Sequence, residues 1–175
     1  MTWPRAIPWI ALLLAVGLVL GDVGLPGWLA GDDGGDLRAG GSTTARVERV
    51  VDGDTIAVRV AGRDERVRYI GVDTPETVKP DTPVQCFGEA AHTLNERLVA
   101  GAEVELRFDR ELRDRYGRLL AYVYRRGERQ SVNARLVRAG AARTLTISPN
   151  TSHAAELARL QAVARAERLG LWGAC

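Results

Sequence analysis

The chain has few of the side chains that bind zinc and other soft metals. Its 175 residues include two cysteines, Cys86 and Cys175, and two histidines, His92 and His153. Zinc sites are built mainly from cysteine and histidine, often beginning with a Cys-x-x-Cys pair. No such pair is present, so the chain has too few ligands for a zinc site. Internal repeats and heptad repeats are also absent, which excludes a solenoid and a coiled coil.

Lysine and strong net charge are equally scarce. Lys79 is the only lysine, and the formal net charge is +2 at pH 7. Residues 1–43 are net acidic and the remainder is net basic. Mild basicity permits a substrate that carries phosphate but does not identify one. With 46% hydrophobic and 26% charged residues, the composition is that of an ordinary globular domain.

The N-terminus contains a short apolar segment. Residues 6–20, "AIPWIALLLAVGLVL", are uncharged and follow Arg5. This length is short for a bilayer span and typical of a secretory signal. Residues 1–30 are therefore predicted to be a signal peptide or, alternatively, an N-terminal membrane anchor. Residues 31–44 are rich in glycine and aspartate and are predicted to be a flexible linker, which leaves 45–175 as the folded domain.

Export changes the interpretation of the two cysteines. Outside the cytoplasm an even pair of cysteines is expected to oxidise. Cys86 and Cys175 are therefore a hypothetical disulfide that ties the chain end to the start of the first helix, with two free thiols as the alternative.

The pattern from residue 45 onward predicts short strands and interspersed helices. "ARVERVV", "TIAVRVAG" and "ERVRYIGV" alternate as strands of an antiparallel meander. "AEVELRFD" and "GRLLAYVYRRG" add two further strands. The helical segments are "CFGEAAHTLNERLVAG", "VNARLVRA" with Ser131 as its cap, and "TSHAAELARLQAVARAERLG". The sequence therefore predicts an α+β fold, a small five-stranded barrel whose open side is covered by three helices.

Three segments carry groups that suit phosphodiester chemistry: "DGDT" (52–55), "RYIGVDTPET" (68–77) and "DRYGR" (114–118). Each is also consistent with a plain turn, since Asp-Gly between β-branched runs is itself a hairpin signal. Together, however, they supply oxygen ligands for a hard cation in Asp54 and Asp73 and a candidate general base in Glu76. Arg68 and Arg118 add planar cations that match a phosphate.

These segments resemble the staphylococcal nuclease (thermonuclease) family. The resemblance runs from about residue 45 to residue 172 and includes "VDGDT", "DTPET", "CFGEA", "DRYGRLLAYVY", "VNARLVRAG" and "SPNTSH" in order. It implies an OB-fold barrel and a Ca²⁺-dependent enzyme that cleaves DNA and RNA to leave 3′-phosphate ends. No protein partner is implied, and we expect a monomer.

The resemblance also implies a role for each matching residue. Asp54, Asp73 and the backbone carbonyl of Thr74 match the calcium ligands, and Asp52 matches an acidic residue that supports the metal. Glu76 matches the proposed general base. Arg68 and Arg118 match the two arginines that bind the scissile phosphate, and Arg115 and Tyr116 in the "DRYGR" loop are candidates for contact with the nucleotide.

One part of the nucleotide site departs from the family. Leu145 and Ile147 stand where family members carry two tyrosines that contact the nucleotide. The residues expected to bind phosphate and metal are all present. We therefore expect weaker or differently selective substrate binding rather than loss of the reaction.

The site also makes a geometric demand. Residues 68 and 73 have opposite parity, so in a regular strand Arg68 and Asp73 would face opposite sides. An irregularity is therefore predicted at 70–73, with Gly71 as the obvious place for it.

Two alternatives to an enzyme remain, a non-catalytic OB-fold module that binds nucleic acid and a cell-surface domain that binds an anionic ligand. The presence of all five groups, Asp54, Asp73, Glu76, Arg68 and Arg118, favours the nuclease.

Overall fold

Five strands form the frame of the domain. The computed structural model describes residues 37–77 and 83–175. Its strands are β1 (Ser42–Asp52), β2 (Thr55–Val60), β3 (Arg63–Tyr69), β4 (Gly71–Asp73), β5 (Glu103–Arg107), β6 (Leu119–Arg125) and β7 (Arg143–Leu145). Its helices are α1 (Gly88–Val99), α2 (Val132–Arg138), α3 (Ala154–Ala166) and the four-residue α4 (Leu171–Ala174). The predicted α+β barrel with three principal helices is confirmed, and α4 was not predicted.

The barrel is closed, in the order β1-β2-β3-β6-β5, whereas the sequence predicted an open side. It closes because β1 has 11 residues and pairs with both neighbours, β5 through residues 42–46 and β2 through residues 46–52. Register shifts along its pairing with β2 bend β1 enough to reach both. The predicted meander β1-β2-β3 is antiparallel, and β3 pairs with β6 in parallel.

The core fills the barrel and the space beneath the helices. β-Branched residues on alternate positions of β2 and β3 point inward, and Ile56, Val58 and Val67 are at most 1% exposed. The buried residues of α1 are Gly88, Ala91, Asn95 and Val99. The polar Asn95 therefore lies on the face that packs against the barrel.

The predicted linker, residues 31–44, extends too far along the chain. The domain boundary at residue 45 falls inside β1, because Ser42 and Thr43 already pair with Arg107 and Leu106 of β5 and Thr43 is buried. The predicted signal or anchor segment and residues 31–36 lie outside the described residues. Within residues 37–77 and 83–175, no helix has the length and apolar character needed to cross a membrane.

The predicted irregularity near Gly71 is confirmed. β3 ends at Tyr69, and Gly71 begins β4, which pairs with β7 instead of continuing in the barrel. Gly71 has φ +78, and a Cβ there would lie 2.5 Å from Leu157 Cδ1. The positive φ favours glycine, and any larger residue would also force the Leu157 side chain to shift. The change of sheet turns Asp73 back toward Arg68.

Two local features fix the helices that support the site. Ser131 caps α2 as predicted, since its side chain accepts a hydrogen bond from the Ala134 N–H at 3.1 Å. Cys86, just before α1, is joined to Cys175 at the chain end, with their Cα atoms 6.0 Å apart. The disulfide therefore connects the start of α1 to the end of α4.

Candidate active site

The β1–β2 hairpin turn presents the first acidic residue of the site. Asp52 pairs with Thr55, so Gly53 and Asp54 form the turn itself. Asp54 is only 4% exposed, and its Oδ2 accepts hydrogen bonds from the Thr74 N–H at 2.9 Å and the Thr74 hydroxyl at 3.1 Å. The hairpin turn and the acidic residues proposed for the site therefore occupy the same segment, "DGDT".

Arg68 joins Asp54 to Asp73. Its Nη1 lies 2.8 Å from Asp54 Oδ2, and its Nη2 lies 3.0 Å from Asp73 Oδ1. Nη1 also donates to the Val72 carbonyl at 2.8 Å, which is possible because the chain reverses at Gly71. One guanidinium thus spans the two carboxylates that were predicted to converge.

Burial dominates the electrostatics of the turn. Removal from water raises the pKa of Asp54, while the charge of Arg68 and the hydrogen bonds from Thr74 oppose the rise. Burial also raises the pKa of Asp52, against the hydrogen bonds from Gly53 and Thr77. An added cation would therefore stabilise the charged form of both carboxylates.

Asp52 supports the turn from the side. Its Oδ1 accepts from the Gly53 N–H at 2.6 Å and the Thr77 hydroxyl at 2.9 Å. Asn95 Nδ2 donates to the Asp52 carbonyl at 3.0 Å, and the Tyr69 hydroxyl donates to Asn95 Oδ1 at 2.9 Å. This chain of bonds fastens the turn to α1 and β3.

Glu76 lies on the loop that follows β4 and is half-buried. Its Oε1 accepts from the Thr77 N–H at 3.0 Å. Its backbone exchanges two hydrogen bonds with Gln85: the Glu76 N–H donates to Gln85 Oε1 at 3.1 Å, and the Gln85 N–H donates to the Glu76 carbonyl at 3.0 Å.

The second arginine is held by the turn at residues 114–118. Arg118 Nε and Nη2 both lie 2.7 Å from Asp114 Oδ2. Asp114 Oδ1 also accepts from the backbone N–H groups of Tyr116 and Arg118, at 2.9 and 3.0 Å. Gly117 has φ +80, which a tight turn of this kind requires. Asp114 therefore fixes both the turn and the direction of Arg118.

A cleft of about 490 Å³ contains both arginines. Arg68 and Arg118 line it together with apolar side chains that include Leu120, Leu145 and Ile147. The predicted nucleotide contacts lie at its edge. Tyr116 is 68% exposed, and the Arg115 guanidinium lies 4.8 Å from the Tyr116 ring centre and 2.6 Å from its hydroxyl.

The donor set fits a hard cation. Asp54, Asp73 and the Thr74 carbonyl offer oxygen only, as calcium and magnesium require. Among residues 37–77 and 83–175, the cationic group within hydrogen-bond distance of both carboxylates is the Arg68 guanidinium. Among the described residues no three His, Cys, Asp or Glu side chains form a complete ligand set. A bound cation would therefore need water or substrate oxygens to complete its coordination.

Three residues that organise the site were missed in the sequence. Asp114 had a signal, because aspartate is favoured at the start of a turn and an arginine follows four residues later. Asn95 had a weaker one, since it lies four residues from both Ala91 and Val99 on the buried face of α1. Gln85 had none, because its contact depends on how the Glu76 loop folds back.

A closed small barrel in which one of two cleft-lining arginines also contacts a pair of carboxylates defines an OB-fold enzyme of the nuclease class. Residues 66–174 match the family described as staphylococcal nuclease homologue, and the chain belongs to this family. It is 45% identical over 126 residues to a thermonuclease of Staphylococcus intermedius, covering 72% of this chain and 74% of that protein. A Staphylococcus hyicus thermonuclease is 40% identical over 129 residues (74% and 75% covered). Endonuclease YncB of Bacillus subtilis (strain 168) is 42% identical over 128 residues (72% and 60%).

Proposed function

We propose that the chain is a calcium-dependent nuclease that hydrolyses the phosphodiester bonds of DNA and RNA and leaves 3′-phosphate ends. The observation that carries the proposal is the position of Arg68. It contacts both Asp54 and Asp73 and lines the same cleft as Arg118. A phosphate between the two arginines would therefore lie beside the carboxylate pair.

The metal site explains the choice of cation. Calcium, when held by Asp54, Asp73 and the Thr74 carbonyl, supplies positive charge that favours ionised water and stabilises charge on the phosphate. Two carboxylates and one carbonyl make a sparse site, and sparse sites suit the millimolar calcium outside cells. Export and calcium dependence therefore support one another.

The arginines bind and stabilise the phosphate. Their forks match phosphate oxygens, and donors fixed before the reaction stabilise negative charge that develops on those oxygens. Asp114 keeps Arg118 oriented through bonds at 2.7 Å. Arg68 is only 15% exposed, so its charge is weakly screened by water.

Glu76 takes the proton of the attacking water. As water oxygen bonds to phosphorus, its proton passes to the Glu76 carboxylate, the bond from phosphorus to the 5′ oxygen breaks, and the departing 5′ oxygen takes a proton from solvent. The Thr77 N–H orients that carboxylate by binding Oε1 at 3.0 Å. The products are a 3′-phosphate and a 5′-hydroxyl end.

The cleft predicts how the nucleotide is held. Leu145 and Ile147 are 39% and 60% exposed and offer no hydroxyl to a base or a terminal phosphate. Tyr116 offers a ring for stacking and Arg115 a further cation. We expect single-turnover cleavage of DNA and RNA oligonucleotides to saturate weakly and to show little base preference. Tight saturation with a strong base preference would contradict this.

We also propose that the domain acts outside the cytoplasm as a monomer, exported by residues 1–30 or anchored there. The apolar segment at 6–20 and the joined cysteines support this. Fractionation of the native host, followed by N-terminal sequencing of the active protein, distinguishes a cleaved signal from an anchor.

Cleavage assays test the proposed chemistry directly. The purified chain is incubated with plasmid DNA and with RNA, in calcium or in chelator, beside Arg118→Ala and Glu76→Gln. The matched control is Arg129→Ala, because Arg129 is exposed and does not line the cleft. We expect calcium-dependent cleavage by the wild type and the control and a loss of at least about 100-fold in both site variants. Cleavage in chelator, or none by the wild type, would falsify the proposal.

A further inference from the structure

The backbone of Glu76 is clamped by the segment that precedes α1. Gln85 makes both bonds of the clamp, one through its side-chain Oε1 at 3.1 Å and one through its N–H at 3.0 Å. Gly88 continues the contact, because a Cβ there would lie 2.8 Å from Thr77 Cγ2 and 3.0 Å from the Glu76 carbonyl. The Glu76 loop therefore rests directly on residues 85–88.

The two hydrogen bonds alone hold the clamp weakly. Gln85 is exposed, and water competes well for exposed hydrogen bonds, which contribute little net stability. Phe87 has φ +69, an unfavourable conformation for a residue with a side chain. The segment therefore needs a further constraint to keep this shape.

The disulfide supplies that constraint. Cys86 follows Gln85 directly and is bonded to Cys175. The chain end is itself docked, since the Leu171 side chain is 2% exposed and the Leu171 N–H donates to the Gly140 carbonyl at 2.9 Å. The covalent bond thus fastens the clamp to α4, which is seated on the rest of the domain.

We infer that Gln85 is a positioning residue for Glu76 and that the Cys86–Cys175 disulfide locks it, so that reducing the disulfide lowers turnover while substrate binding is kept. The inference rests on the proposed role of Glu76 as the general base. A dithiol reductant reaches the bond because both cysteines are exposed. It gives two electrons and two protons, the S–S bond becomes two thiols, and the reductant becomes a disulfide.

Substrate binding is expected to be kept because the arginines proposed to bind phosphate lie outside the clamp. Arg68 is on β3 and Arg118 follows the turn at 114–118; neither forms a hydrogen bond or ion pair with residues 85–88 in the described part of the chain. Displacement of a catalytic group by about 1 Å can cost on the order of 100-fold in rate. We expect at least a tenfold loss of kcat with KM changed less than about twofold.

The test compares oxidised and reduced full-length protein with variants of the clamp. Gln85→Met keeps the side-chain length and removes the acceptor, whereas Gln85→Glu keeps an acceptor oxygen. We expect Gln85→Met to lower kcat, Gln85→Glu to restore it in large part, and reduction of the wild type to match the Cys86→Ser/Cys175→Ser variant. Circular dichroism at the assay temperature shows which samples are folded, and Gln85→Met tests the clamp with the disulfide intact.

Hydrogen exchange gives a readout independent of activity. In the reduced protein the amides of Glu76 and Gln85 should exchange faster than in the oxidised protein and faster than those of β5 and β6, which separates local opening from the global loss of stability. Equal kcat and equal exchange in oxidised and reduced protein overturn the inference, as does an effect on KM alone. Full activity of Glu76→Gln would instead overturn the assignment of the general base, so the two failures are distinguishable.

Discussion

Removal of the disulfide should cost the domain a large part of its stability. The double variant Cys86→Ser/Cys175→Ser removes a cross-link between residues 89 positions apart. Both cysteines are exposed, so serine creates no cavity and leaves no buried hydroxyl without a partner. The expected effect therefore comes from the unfolded chain.

The magnitude follows from the size of the closed loop. A cross-link removes conformational entropy from the unfolded chain in proportion to the logarithm of the loop length. For the 89-residue separation between Cys86 and Cys175, this amounts to about 4–5 kcal/mol at 25 °C. For a domain of this size, the corresponding decrease in Tm is roughly 10–20 °C.

Urea unfolding at pH 7 without calcium measures this loss. The double variant should show a lower midpoint and a larger m-value, because its unfolded chain exposes more surface. Wild-type protein that is reduced and alkylated should agree with the variant. A loss below about 1 kcal/mol with an unchanged m-value would refute the loop-entropy reasoning.

Three further changes test the turn and its supports. Gly53→Ala would place a Cβ 2.6 Å from the Thr74 hydroxyl, and we expect lower calcium affinity by calorimetry, since Thr74 holds the acidic turn; unaltered affinity would contradict this. Asn95→Leu leaves the buried Tyr69 hydroxyl without its partner, and urea unfolding should show a loss of about 2–4 kcal/mol. Burial raises the pKa of Asp54 above its value in the unfolded chain. The contribution of this carboxyl group to the stability of the metal-free protein is therefore fully present at pH values below the ordinary aspartate pKa. It is lost as the pH rises through the pKa that Asp54 has in the folded protein. Calcium and a proton compete for Asp54, so on acidification the calcium affinity should begin to fall at a higher pH than it would for a site with an ordinary aspartate. Uptake of protons on calcium binding, instead of their release, would contradict the predicted direction.

The fold was largely predictable because its signals are local. The alternation in β1, β2 and β3, the Ser131 cap and the glycine at position 71 each follow from the preferences of neighbouring residues. The closure of the barrel was not predictable, since the pairing of Thr43 with Leu106 joins residues far apart in sequence. The same pairing explains why the linker was placed too far into the chain.

The residues of the site were likewise predictable only in part. Asp54, Asp73 and Arg68 were identified because each stands at a strand end or turn within a recognisable motif, and the structure brings them together. The residues that orient them are harder to detect. Gln85 contacts only the backbone of Glu76, through its own side-chain Oε1 and N–H, and a backbone partner has no residue type by which the contact could be recognised in the sequence.

The acidic turn and the disulfide act on stability in opposite directions. Burial raises the pKa of both Asp52 and Asp54, so at neutral pH these carboxylates are less stable charged in the metal-free fold than in the unfolded chain. Neither can be moved to the surface without losing the contacts to Thr74, Thr77 and Arg68 that define the site. The cross-link joins two residues outside the turn, Cys86 and Cys175, and destabilises the unfolded chain. The domain therefore offsets the cost of two buried carboxylates with a cross-link that is not part of the acidic turn.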